Sequence, residues 1–144
     1  MTRVLRPAIV AIACLTGVSA QDKPNFAGRW KAAGSFNSWT ITVEGSKMTV
    51  TMTVAGNSDA TVYLLDGTPS TKTVEGPNGP IENVYTCTWE GDVLVTTIKT
   101  GFGHTIVEKR WLEPEGTMRV QNTLIFPGKP SPPPGPGQVF KKTD

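Results

Sequence analysis

His104 is the only histidine in the chain, so a histidine-rich metal centre is impossible and any Ser-His-Asp arrangement would have to be built around this single ring. It follows Gly103 at a hairpin, where the expected role is that of an exposed turn residue. No nucleophile elbow, phosphate loop or dinucleotide fingerprint occurs, and Gly101-Phe102-Gly103 lacks a third glycine and follows no βα unit. Twelve Asp and Glu residues can always supply a pair at glycosidase separation, but Glu44, Glu90, Asp92 and Glu115 sit in ordinary turn contexts. Cys87 alternates with Tyr85 and Trp89, which reads as a buried, inert thiol without the cationic neighbours a reactive one needs. Catalytic residues, metal and cofactor are therefore all expected to be none. Hydrolase chemistry ranks last among the readings.

Glu108 and Arg110 share one face of a strand. If that face points inward they form a buried pair able to orient a polar ligand; the other register puts Val107 and Trp111 inside and leaves both in water. The second register is expected for Glu108, and Arg110 is left open to either.

The elements that would position these groups are short strands. Residues 1–20 carry Arg3 and Arg6, an apolar stretch from Ala8 to Val18 and the small residues before Gln21, which together read as a secretory signal cleaved after Ala20. The apolar stretch falls short of the ~20 residues that span a bilayer, so no stable membrane insertion is expected after cleavage. Small residues before Cys14 give lipoprotein anchoring a foothold, but simple cleavage is the stronger reading. The domain is then 21–144, exported to a secreted or periplasmic location. With Arg3 and Arg6 gone, the 14 Lys and Arg fall to 12 and balance the 12 Asp and Glu. A neutral chain of singly scattered charges has no electrostatic footprint for nucleic acid or an anionic membrane surface. Cys87 remains alone, so packing and not a disulfide must hold the fold, and a monomer is expected.

From Asn25 onward period-two runs alternate with turn signals. Met48, Val50, Met52 and Val54 share one face of the clearest strand. Glu90-Gly91-Asp92 predicts a tight hairpin. Residues 66–83 read as a long Gly- and Pro-rich connection with room for one short strand near Lys72 to Glu75. Residues 127–137 contain six prolines and three glycines and read as an extended loop, followed by a last strand that pairs back with the first. The fold class is all-β: a small antiparallel up-and-down barrel of about eight strands, with a β-sandwich as the alternative.

Asn25-Phe26-Ala27-Gly28-Arg29-Trp30, then Trp89-Glu90-Gly91-Asp92, then Arg110-Trp111-Leu112 and a glycine-bearing turn, resemble in that order the small secreted lipocalin-like (calycin-type) domains of soil bacteria. Those bacterial relatives have no function that the motifs carry. The resemblance covers most of the chain after residue 20 and implies a barrel, a structural Gly28 and Trp30, and an arginine from a late strand packed over that indole; Arg110 and Arg119 are both candidates, with motif order favouring Arg110. It also implies a small apolar ligand. Independently of the family, Trp39, Met48, Met52, Tyr63, Tyr85 and Trp89 would line a common interior with adaptable or amphipathic side chains. The function read is an exported binder of a small hydrophobic or amphipathic molecule. The alternative is a non-enzymatic surface interaction or scaffold domain using the loops at 66–83 and 127–137.

Overall fold

The structure is a computed structural model describing residues 23–143; the expected signal, its expected cleavage site and Cys14 lie outside the described residues. Ten strands follow one another: β1 Gly28–Ala32, β2 Ser38–Glu44, β3 Lys47–Val54, β4 Asn57–Leu64, β5 Ser70–Gly76, β6 Gly79–Glu90, β7 Val93–Lys99, β8 Thr105–Leu112, β9 Thr117–Ile125 and β10 Gln138–Thr143. They form one antiparallel sheet in the order β4-β3-β2-β1-β10-β9-β8-β7-β6-β5. The only helical element among the described residues is a 3-10 turn at Pro114–Gly116.

The first and last strands pair, with Trp30 opposite Lys142 and Ala32 opposite Phe140. That pairing curls the meander into a nearly closed barrel whose free edges, β4 and β5, lie side by side. No backbone ladder joins them. Side chains do: the Ser70 hydroxyl donates to the Val62 carbonyl at 2.6 Å, and Lys72 donates to Asp59 at 2.5 Å and to Thr61 at 2.9 Å. These bonds tie the two edges together without a ladder.

The ten strands are roughly consistent with the expected count of about eight. Residues 66–83 hold the expected short strand, as β5, together with the first residues of β6, and the two pair across Pro77 and Asn78 with Gly76 opposite Gly79. Clustered Gly and Pro hid the early start of β6 at Gly79, where a strand was expected only from Val84. Elsewhere the turn chemistry reads directly: Glu90 pairs with Val93, so the β6–β7 link is two residues, and Gly91 takes the positive φ of 60° that such a tight turn requires. Residues 126–137 contain no strand. They run along the outside of β9, where Arg119 donates to Pro136 O at 2.7 Å and Gln121 to Gly135 O.

Because the strands alternate in direction, the links fall at two ends. The base holds the β2–β3, β4–β5, β6–β7 and β8–β9 links together with the segment that enters β1. The rim holds the other five. Register fixes which side chains face inward: Trp30 pairs Trp39, Trp39 pairs Met52, Met48 pairs Tyr63, Tyr85 pairs Ile98, Leu94 pairs Arg110 and Met118 pairs Phe140. The base half of the interior is solid, filled by Trp30, Phe26, Arg110, Ile41, Met48, Leu94, Met118 and Phe140, all essentially without solvent exposure. Toward the rim the same inward faces carry half-buried or exposed residues, among them Met52, Asn83, Asn122 and Leu124.

Candidate functional site

Three structures meet at the base: the entering segment, the buried arginine and a surface pocket. Residues 23–26 cross part of the base as a strap. The Lys23 ammonium donates to Gly91 O at 2.7 Å and lies 5.5 Å from the Trp89 ring centre, while Phe26 stacks parallel to Trp89 at 6.2 Å. Trp30 donates its indole N–H to Phe26 O at 2.8 Å, which ties the strap to β1. This explains the Phe-x-Gly-x-Trp spacing: aromatic plug, backbone acceptor and indole donor form one buried unit. Gly28 has a φ of 141°, and a Cβ there would stand 2.6 Å from the Lys142 stem. The position thus needs glycine both for its backbone and for the side chain that passes over it.

That side chain, not an arginine, covers Trp30. The Lys142 ammonium lies 5.5 Å from the Trp30 ring centre. Arg119 is on the outer face, bonded to Glu113, whose carboxyl that contact holds below its ordinary range. Arg110 points inward, but its guanidinium sits among other rings: Trp39 at 5.5 Å, Tyr63 at 5.7 Å and Phe26 at 6.0 Å. The implied cation over the Trp30 indole is therefore present with a different residue supplying it.

Glu108 is a second correction. Expected in water, it is 6 % exposed and accepts from Arg110 Nη2 at 2.9 Å. Arg110 is completely buried, its Nη1 meets only Met118 Sδ at 3.6 Å, and its Nε has no partner. Burial alone would lower the Arg110 pKa, but the Glu108 carboxylate and the Tyr63 hydroxyl outweigh it and raise it. Burial, with Glu108 adding to it, pushes the Tyr63 hydroxyl far up. The charges are paired, three rings lie within 6.0 Å of the guanidinium carbon, and the group is packed without solvent exposure. Cys87 is buried as read, its Sγ 3.4 Å from Thr96 Oγ1, and burial raises its pKa.

Beside the strap the base is uncovered, and there a pocket of about 520 Å³ opens. Val43, Leu65 and Trp89 give it apolar walls; Lys23, Pro24 and Asn25 of the strap form one lip, and Gly45, Ser46 and Asp66 the other. The Leu65 amide donates to Ser46 O at 2.7 Å, which pins the two links that flank it. The Thr68 amide donates to Asp66 at 2.9 Å and holds its carboxyl below the ordinary range, so the lip carries a carboxylate from one link and an ammonium from the strap. The volume lies within the ~300–1,000 Å³ typical of small-molecule sites.

Of the six side chains expected to line a common cavity, Trp89 alone borders this pocket. Met48, Tyr63 and Tyr85 are packed into the core, Tyr63 edge-on to Tyr85 at 5.6 Å. Trp39 and Met52 face inward, half-buried, nearer the rim. The pocket residues that the sequence did not mark, Lys23, Pro24, Asn25, Gly45, Ser46 and Asp66, belong to turns and to the strap, which carry no periodicity. The signal available was topological: in a meander the second and fourth links share an end. His104, expected as an exposed turn residue, is half-buried between Phe102 at 6.3 Å and Phe126 at 5.4 Å. Among the described residues no group of three or more His, Cys, Asp and Glu side chains comes together.

No protein-family model and no curated protein matches the sequence. Solved structures do match in shape. A secretory abundant heat soluble protein from Ramazzottius varieornatus superposes with a TM-score of 0.59 at 12% identity over 82% of this chain and 95% of that one. A REP1-NXSQ fatty acid transporter superposes with a TM-score of 0.57, also at 12% identity, over 82% of this chain and 96% of that one. At such identity the likeness establishes a shared barrel fold.

Proposed function

We propose that the protein is an exported, non-enzymatic, monomeric binder of one small apolar or amphipathic molecule, held in the base pocket with its apolar part against Trp89, Leu65 and Val43 and its polar end between Lys23 and Asp66. The observation that carries this reading is the pocket itself: about 520 Å³, apolar within and charged at the lip. A barrel of the same shape is a fatty acid transporter, which supports the ligand class. The packed surroundings of Arg110 argue against a ligand in the base half of the barrel and move the site outward from the six residues first expected to hold it. A pure scaffold domain would also have a solid interior, but it would have no use for an apolar pocket there.

The test is a titration of the chain from Gln21, which contains all ten strands, with a fluorescent long-chain probe displaced by unlabelled fatty acids and alkyl alcohols. Saturable one-to-one binding is expected, and Leu65→Arg, which removes about 2 kcal/mol of apolar contact and places a cation in the wall, should raise Kd at least about tenfold with an unchanged circular dichroism spectrum. Absence of saturable binding across the panel would overturn the proposal. Mass spectrometry of the secreted protein tests the export step, with a chain beginning at Gln21 as the expected result.

A further inference from the structure

The rim, at the opposite end from the pocket, is where large apolar side chains stand in water. Phe36, in the β1–β2 link, is 97 % exposed; Phe102, in the β7–β8 link, is 54 % exposed; Phe126, at the start of the β9–β10 link, is 46 % exposed. These links are consecutive around the barrel, because β1, β10, β9 and β8 are neighbours in the sheet. Phe102, His104 and Phe126 already form a continuous aromatic strip, with ring centres 6.3 and 5.4 Å apart.

The charges on this arc have one sign. Residues 31–38, 99–105 and 123–138 contain Lys31, Lys99 and Lys129 and no Asp or Glu. The rim's carboxylates, Asp59, Glu75 and Glu82, lie on the far arc formed by β4, β5 and β6, and Asp59 is tied to Lys72. Net neutrality therefore conceals a polarised end.

We propose that this arc of the rim docks on an anionic lipid bilayer, with the phenylalanines entering the interfacial region and the three lysines facing the headgroups. Aromatic rings presented from three separate links suit a deformable phase, whereas a rigid protein partner would need a surface shaped to all three. Aromatic insertion flanked by lysine is the combination that binds anionic interfaces, and no single component suffices. Docked this way, the base pocket faces water. The inference does not depend on that pocket being occupied.

Co-sedimentation of the chain from Gln21 with sucrose-loaded vesicles tests it. With equal parts of phosphatidylglycerol and phosphatidylcholine, binding is expected to be at least about tenfold tighter than with phosphatidylcholine alone, since each lysine near an anionic surface contributes roughly fivefold, and to weaken severalfold between about 0.05 and 0.5 M salt. Phe102→Ser with Phe126→Ser should lower binding to the mixed vesicles at least about tenfold. Lys99→Glu with Lys129→Glu should abolish the lipid preference, and Lys47→Glu, exposed at the base, should leave it unchanged. Equal binding to both vesicle types, no binding to either, or sedimentation equilibrium showing that the same phenylalanines hold a dimer would each overturn the proposal.

Discussion

Replacing Glu108 with leucine is expected to lower stability by about 3–5 kcal/mol, because it leaves a fully buried guanidinium with no counter-charge. For a domain of this size that is a fall in Tm on the order of 10–20 °C. The effect follows from geometry: Arg110 has one short hydrogen bond to oxygen, at 2.9 Å to Glu108, one long contact to a thioether at 3.6 Å and an unpartnered Nε. Three aromatic rings within 6.0 Å offset part of the desolvation, but rings cannot replace a carboxylate. Arg110→Met should cost less than Glu108→Leu, since a carboxyl left alone can take up a proton whereas a guanidinium cannot lose one. The double variant Arg110→Met with Glu108→Leu should recover most of the loss, to within about 1–2 kcal/mol of the parent, because apolar side chains of similar volume often fill such a site as well as the ion pair does. Thermal melts and urea titrations of the three variants form a double-mutant cycle. Single-variant costs that simply add would show that the two groups are not coupled.

Trp30→Ala should be comparably severe, at about 3–5 kcal/mol. Trp30 fills the middle of the base, donates to Phe26 O at 2.8 Å and carries Lys142 over its outer face. Its removal opens a large cavity and frees the strap that holds Phe26 against Trp89. Trp111, on the outward face of β8 and half-buried, is the control: Trp111→Ala should cost no more than about 1–2 kcal/mol. Urea denaturation distinguishes them, and equal costs for the two would show that Trp30 does not hold the base together.

The contrast between these tryptophans shows how much was legible. Where one face of a strand is apolar and the other is Thr or Lys, alternation identifies the inward side: Met48, Val50 and Met52 on β3 and Tyr85, Cys87 and Trp89 on β6 all face inward as read. On β8 the rule gives the wrong answer. Val107 and Trp111 make the odd face the more apolar one, yet the ladder puts Arg110 opposite Leu94 and Ile106 opposite Ile98, and so places Glu108 and Arg110 inside. A pair that neutralises itself and is surrounded by rings can occupy a core position, and hydropathy alone does not register that pairing. The closure of the last strand on the first was legible because a short apolar run behind a proline-rich loop has few other places to go. The hairpin at residues 76–79 was legible only in its first strand, since Gly and Pro there signal a turn without saying that β6 already begins at Gly79. The pocket was least legible of all, being assembled from turns whose only common property is the end of the barrel on which they fall.

The central functional claim is the location of the ligand, and chemical-shift mapping tests it most directly. Titrating isotope-labelled protein with a soluble medium-chain fatty acid is expected to move the Trp89 indole and the Val43 and Leu65 methyl resonances saturably, while the Trp30 indole stays fixed. Shifts centred on Trp39 and Met52, or no saturable shift at any of these groups, would contradict the assignment of the base pocket as the binding site.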